Sequence, residues 1–270
     1  TSSECPYCGC PIQREHIHDA EHRIPVDGVL PFMVERKKAQ SHLADWVRSR
    51  WFAPNDFKQR GVEGKFNGVY LPFWTFDSMT FTRYAGQRGE YYFVEVGEGQ
   101  EKRQERRVRW WPVAGSFQRF FDDVLILAST GLPQKVIDAL EPWPLERCVP
   151  FTQEALAGFF ARTYEKDLEP GFREARERME AAIEVEARQR IGGDEQQLHQ
   201  CDSHFSAMTY KHLLLPVWLL AYRYNDTTYQ VAVNAATGEV QGERPYSWVK
   251  ILLLVLTIAA IVGGIALLKR

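Results

Sequence analysis

The feature that most constrains this chain is the stretch 251–268, ILLLVLTIAAIVGGIALL, which carries no charge and is flanked by Lys250 on one side and Lys269 and Arg270 on the other. At a rise of about 1.5 Å per residue it would measure roughly 27 Å, close to the ~30 Å hydrocarbon core of a bilayer. The expectation is a single carboxyl-terminal transmembrane helix within an anchor at 247–270. Tyr246 and Trp248 stand where an aromatic belt would meet the headgroups. Ala259, Ala260, Gly263 and Gly264 make two overlapping small-xxx-small pairs, a pattern that lets a second helix approach by backbone packing. Those four residues are therefore the expected contacts of a membrane or oligomer helix.

Charge bias leaves the orientation tied, because Arg244 and Lys250 on one flank balance Lys269 and Arg270 on the other. The polar start at Thr1, without an apolar leader, and the thiols close behind it favour a cytosolic body. The expected location is the bacterial cytoplasmic membrane, single-pass, with membrane lipids as partners.

The 270 residues are 45% hydrophobic, enough for a substantial core. A net charge of -2 gives no bulk attraction to a polyanionic backbone, so nucleic-acid binding would have to be local. The patterning predicts an α+β fold: an antiparallel, strand-rich soluble domain with several helices. Residues 33–52 place Leu43, Trp46, Val47 and Arg50 on one helical face ahead of Pro54. Residues 68–96, rich in aromatic and β-branched side chains and punctuated by Gly86 and Gly89, read as strands with a hairpin. Short helices are expected at 134–140 and 153–164, and a longer one at about 171–191. That helix carries a stripe of Phe172, Ala175, Met179, Ala182 and Glu186, with Gly192 as its carboxyl cap. A second strand-rich region follows from 198 to 242. The segments YLPFW at 70–74 and LLPVW at 214–218 share a Leu-Pro-apolar-Trp core, which suggests two related sheet units. The expected organisation is 1–24 as a metal knuckle, 25–246 as the main domain, divisible at about 145, and 247–270 as the anchor.

Cys5 and Cys8 form a CPxCG half-site, in which two thiolates wrap one zinc ion and the glycine permits the tight turn. Structural zinc needs four ligands. Cys10, His16, His18 and His22 would complete the shell only irregularly, and a partner knuckle upstream is the simpler source. The three histidines do not fit a HxHxDH hydrolase pattern, because Ala20 and Glu21 stand where Asp and His are required. HExxH, GxSxG, Walker A and GxGxxG patterns are absent. The segment 102–111, KRQERRVRWW, would put Arg107, Arg109 and Trp111 on one strand face. With Glu98, Glu101 and Glu105 beside it, this reads first as a salt-bridged edge strand and second as a lipid contact. The acid pairs Asp122-Asp123 and Asp194-Glu195 read as caps and turns, and Cys148 and Cys201 as partly buried thiols.

Taken together, CPYCG, GVYLPFWTFD with the later YAGQRGE, FDDVLILAS, LAGFFA, IGGDEQ, KHLLLPVWLLAYRY and YQVAVNAATGEVQGERPYSWVKI give the chain a resemblance. It resembles bacterial TFIIB-type zinc-ribbon membrane proteins, commonly labelled "primosomal protein N-prime (replication factor Y), superfamily II helicase". Relatives of that kind are associated with SPFH (flotillin-like) and phage-shock-type membrane-stress modules. The resemblance implies a non-enzymatic, tail-anchored scaffold or adaptor, assembling with itself or with an SPFH-type protein, and zinc as the cofactor held by Cys5 and Cys8. It supplies no catalytic residues. Two other readings stay open: a nucleic-acid-associated zinc-ribbon factor, and a membrane-bound metal-dependent hydrolase using the histidines at 16–22.

Overall fold

A computed structural model describes residues 23–55, 65–97, 102–224 and 227–268. Cys5 and Cys8, together with Cys10, His16, His18 and His22, lie outside the described residues, as do Glu98, Glu101, Lys269 and Arg270. In chain order the elements are β1 (Gly28–Val29), α1 (Arg36–Ser49), β2 (Lys65–Val96), β3 (Arg103–Leu127), α2 (Gln134–Asp138), β4 (Val149–Pro150), β5 (Phe160–Ala161), α3 (Leu168–Ile191), β6 (Glu195–Tyr224), β7 (Thr227–Asn234), β8 (Val240–Gly242) and α4 (Trp248–Leu268).

Hydrogen-bonded strand neighbours follow the order β3-β2-β6-β1-β4, with β5 beside β2 and with β7 joining β6 to β8. The sheet is mixed, which corrects the antiparallel expectation. β1 runs parallel to β6, with Gly28 opposite Leu213, and β5 runs parallel to β2, with Val69 opposite Phe160. Both parallel additions are two residues long. A strand that short has no alternation to read, and its partner is chosen by distant chain segments.

A second correction concerns the tail. Among the described residues no helix is long and apolar enough to cross a membrane. The transmembrane, tail-anchored, single-pass placement in the bacterial cytoplasmic membrane is therefore not supported.

The chain forms two compact units that alternate along the sequence: Thr1–Phe73, Ser129–Glu165 and His212–Arg270 make the first, Trp74–Ala128 and Lys166–Lys211 the second. In the first unit, α1 buries Leu43, Trp46 and Val47 of the expected face together with Ala39, whereas Arg50 closes the helix and is only half-buried. The buried side chains pack with Phe66, Trp218, Leu220, Val231 and Val233. Each such large side chain contributes about 1.5–3 kcal/mol on leaving water. The Trp218 indole N–H donates to Val34 O at 2.8 Å, so the polar edge of the ring is also satisfied. Phe32 stacks on Phe159 at 3.9 Å between centroids and meets Tyr70 and Trp218 edge-on.

In the second unit, α3 packs on one face of the sheet formed by β2, β3 and β6. Its buried residues are Gly171, Ala175, Met179, Ile183, Ala187 and Ile191. The expected stripe holds at Ala175 and Met179 and then moves to Ile183 and Ala187. A four-residue spacing advances about 40° per step, so the buried line winds around the helix and can follow a twisted sheet, which a coiled-coil seam cannot do. Glu186, displaced from that line, lies between Arg119 at 3.3 Å and Arg190 at 2.8 Å. Gly171 lies where an added Cβ would fall 2.8 Å from the Trp74 ring, and Trp74 Nε1 donates to Lys166 O at 2.8 Å. Gly192, at φ +69, caps α3 as its position predicted.

The region 68–96 belongs to one continuous strand and contains no hairpin. Gly86 and Gly89 serve close approach instead of turning: an added Cβ on Gly86 would fall 2.1 Å from Gln197 O, and one on Gly89 would fall 2.7 Å from Val108 Cγ1. Likewise 153–164 holds a short 3-10 turn at Gln153–Leu156 and then β5, not a helix.

Candidate functional site

The most unusual surface of the first unit is α4. Trp248, Val249, Ile251, Leu252, Leu253, Val255, Leu256, Ile258, Ile261 and Val262 are all exposed, from 40% at Ile251 to 73% at Trp248. At 100° per residue these positions surround the helix instead of forming one stripe. Globular chains rarely leave so large a contiguous apolar surface in water, and a helix apolar around its circumference is ordinarily covered.

The base of that helix is held firmly. Lys250 Nζ donates to Ala53 O at 2.7 Å, to Asn55 Oδ1 at 2.7 Å and to Trp51 O at 3.2 Å, using all three ammonium hydrogens. Ser247 N–H donates to Phe52 O at 2.8 Å. The accepting carbonyls follow the carboxyl end of α1, where the helix dipole favours a cation. Sequence reading treats Lys250 as a flanking charge, whereas the structure makes it a clamp between the start of α4 and the turn after α1. Of the four small residues expected at a helix contact, Ala259, Gly263 and Gly264 are exposed, and a Cβ added at either glycine would meet nothing within 4 Å. Ala260 shares the helix, but its side chain is outside the described residues.

The second unit brings charged groups together at Asp77, Asp122 and Asp123, whose carboxylate oxygens lie within 4.8 Å of one another. Asp123, at φ +50, donates its N–H to Asp77 Oδ1 at 2.8 Å, and Thr209 Oγ1 donates to Asp77 Oδ2 at 2.8 Å. Lys211 Nζ reaches Asp123 Oδ1 at 3.1 Å and Asp77 Oδ2 at 3.8 Å. Burial alone would lower the Lys211 pKa; the Asp123 hydrogen bond and the three carboxylates outweigh it and raise it. Oxygen-only donors of this kind suit a hard cation better than zinc. The ammonium of Lys211 already supplies the positive charge, and the polar contacts tie β2, β3 and β6 together. Sequence reading found the acid pair but had no means of finding Asp77 or Lys211, which only strand pairing brings to it.

The basic and aromatic segment lies on β3, at one end of the strand order. Arg107, Arg109 and Trp111 are exposed, and Arg107 pairs with Glu105 at 3.3 Å. The Arg106 and Arg109 guanidinium groups lie over the Tyr91 and Tyr92 rings at 4.3 and 5.0 Å. This is a salt-bridged edge strand whose cations also cover aromatic surface. Asp194 and Glu195 accept from Tyr91, through its N–H at 2.7 Å and its hydroxyl at 2.9 Å. Burial, reinforced by Glu184 and Asp202, pushes the Cys201 thiol up, away from a reactive thiolate.

No protein-family profile matches the chain. A curated relative is the "Uncharacterized protein YdjG" of Bacillus subtilis (strain 168), 25% identical over 227 residues that cover 81% of this chain and 63% of that protein. The chain thus spans less than two thirds of that relative's length. No solved structure matches.

Proposed function

We propose that this chain is a non-catalytic adaptor that recruits a partner protein through α4. The observation that carries this reading is the exposed apolar circumference of α4 on a base fixed by Lys250. An anchored apolar helix offers a partner a preorganised surface, which lowers the ordering cost of association. Support for an SPFH-type or phage-shock-type partner comes from the sequence resemblance, as does support for zinc at Cys5 and Cys8 in the full-length protein. The partner is either such a protein or a second copy of this chain.

The test is photo-crosslinking in the native host, with a photoreactive residue at Leu253 or Leu256 and a control at the exposed Glu239 of the body. Protein adducts specific to the α4 positions are expected, and SPFH-type proteins or the chain itself should be recovered from them. Adducts equal to the control at both positions would overturn the adaptor reading.

A further inference from the structure

A pocket opens in the first unit where β8 leads into α4, lined by Arg50, Arg244, Tyr229, Gln241, Glu243 and Tyr246. Two guanidinium groups share it, and among the described residues neither forms an ion pair. Arg50 is the residue that closes α1. Its Nε donates to Trp46 O at 3.3 Å and its guanidinium lies 4.9 Å over the Trp46 ring, which fixes the stem and leaves the terminal nitrogens uncommitted. Arg244 lies over the Tyr246 ring at 5.3 Å, and its Nε is buried without a hydrogen-bond partner.

A buried guanidinium N–H without an acceptor is costly, and such groups are normally satisfied by a ligand, an ion or water. The pocket floor is fixed: an added Cβ on Gly242 would fall 2.6 Å from both Gln230 O and Val231 Cα, so this strand can lie close to β7 only as glycine. Tyr229 and Gln241 also line the pocket, with the Gln241 amide donating to Glu239 Oε1 at 3.1 Å. Two guanidinium forks lining one pocket match a tetrahedral oxyanion better than a planar or apolar ligand. Glu243 is the one carboxylate in the lining, and it opposes such a ligand.

We infer that Arg50 and Arg244 form a binding site for a phosphate group at the base of α4. The same chemistry could be presented by a soluble phosphate ester or by a phospholipid headgroup, and the experiment separates the two. Full-length protein in a non-ionic detergent is titrated with inorganic phosphate and with glycerol 1-phosphate, followed by calorimetry and by Trp46 fluorescence. In parallel it is floated with vesicles of phosphatidylglycerol or of phosphatidylcholine. Saturable binding of the soluble probes, weakened at least tenfold by Arg244→Gln and by Arg50→Gln, assigns the site to a soluble ester. Flotation with phosphatidylglycerol that falls by a similar factor in both variants, without saturable binding of the soluble probes, assigns it to a headgroup. Glu243→Gln should tighten whichever interaction is seen, a gain that damaged folding cannot mimic. The inference is overturned if neither probe class binds, or if the two arginine variants bind as the parent does.

Discussion

At the scale of single residues, the buried polar groups hold the strongest constraints. Asn234 is fully buried, donates to Leu140 O at 2.9 Å and Pro142 O at 3.3 Å, and accepts from the N–H groups of Ala236 and Thr237. Asn234→Ala leaves all four partners unsatisfied, so a loss of about 2–3 kcal/mol is expected in urea denaturation. Nearby, Gly238 sits at φ +89 with the His42 ring 2.5 Å from where a Cβ would stand. Gly238→Ala should therefore cost about 1–2 kcal/mol, from the backbone conformation and the clash together. His212 is buried, with its Nδ1 near the carbonyls of Ile24 and Pro25 at 3.2 and 3.1 Å. Burial pushes its pKa below the usual value of about 6.5, against the opposing pull of those carbonyls and Asp27. The folded state thus keeps the ring neutral where the unfolded chain protonates it. The corresponding stability is present above about pH 6.5 and is lost as pH falls toward the depressed value, with a limiting slope of about 1.4 kcal/mol per pH unit. Urea midpoints measured from pH 7 to 5 should fall more steeply for the parent than for His212→Asn.

At the scale of elements, α4 and β2 show how far local pattern carries. The uncharged composition of 251–268 predicts a helix, and a helix forms over Trp248–Leu268. What holds its base depends on carbonyls that the turn after α1 happens to present. Lys250→Met removes three hydrogen bonds and should cost about 1–2 kcal/mol. Amide exchange should accelerate at residues 247–252 in that variant while the α1 core stays protected; unchanged exchange there would argue against the clamp. In β2 the two glycines look like turn formers in the sequence, because nothing local distinguishes a glycine that bends the chain from one that admits a neighbour. Gly86→Ala tests the difference. With backbone at 2.1 Å from the new Cβ, a loss of more than about 2 kcal/mol is expected, whereas a solvent-facing turn would tolerate the change.

At the scale of the whole molecule, the two units alternate along the chain, and each is assembled from segments far apart in sequence. The acid cluster shows the consequence: Asp122 and Asp123 are adjacent in the chain, but Asp77 and Lys211 join them from 45 and 88 residues away. Sequence alone determined the amphipathic face of α1, the start of the α3 stripe, its glycine cap and the strand-rich character of the rest, because those follow from periodicities of 3.6 and 2 and from the conformational range of glycine. Only the tertiary structure decided the parallel pairings of β1 and β5, the role of Lys250 and the meeting of Arg50 with Arg244 at one pocket. Each of these depends on which distant backbone groups lie opposite one another. That is settled by how the segments pack, and it leaves no mark in the order of neighbouring residues.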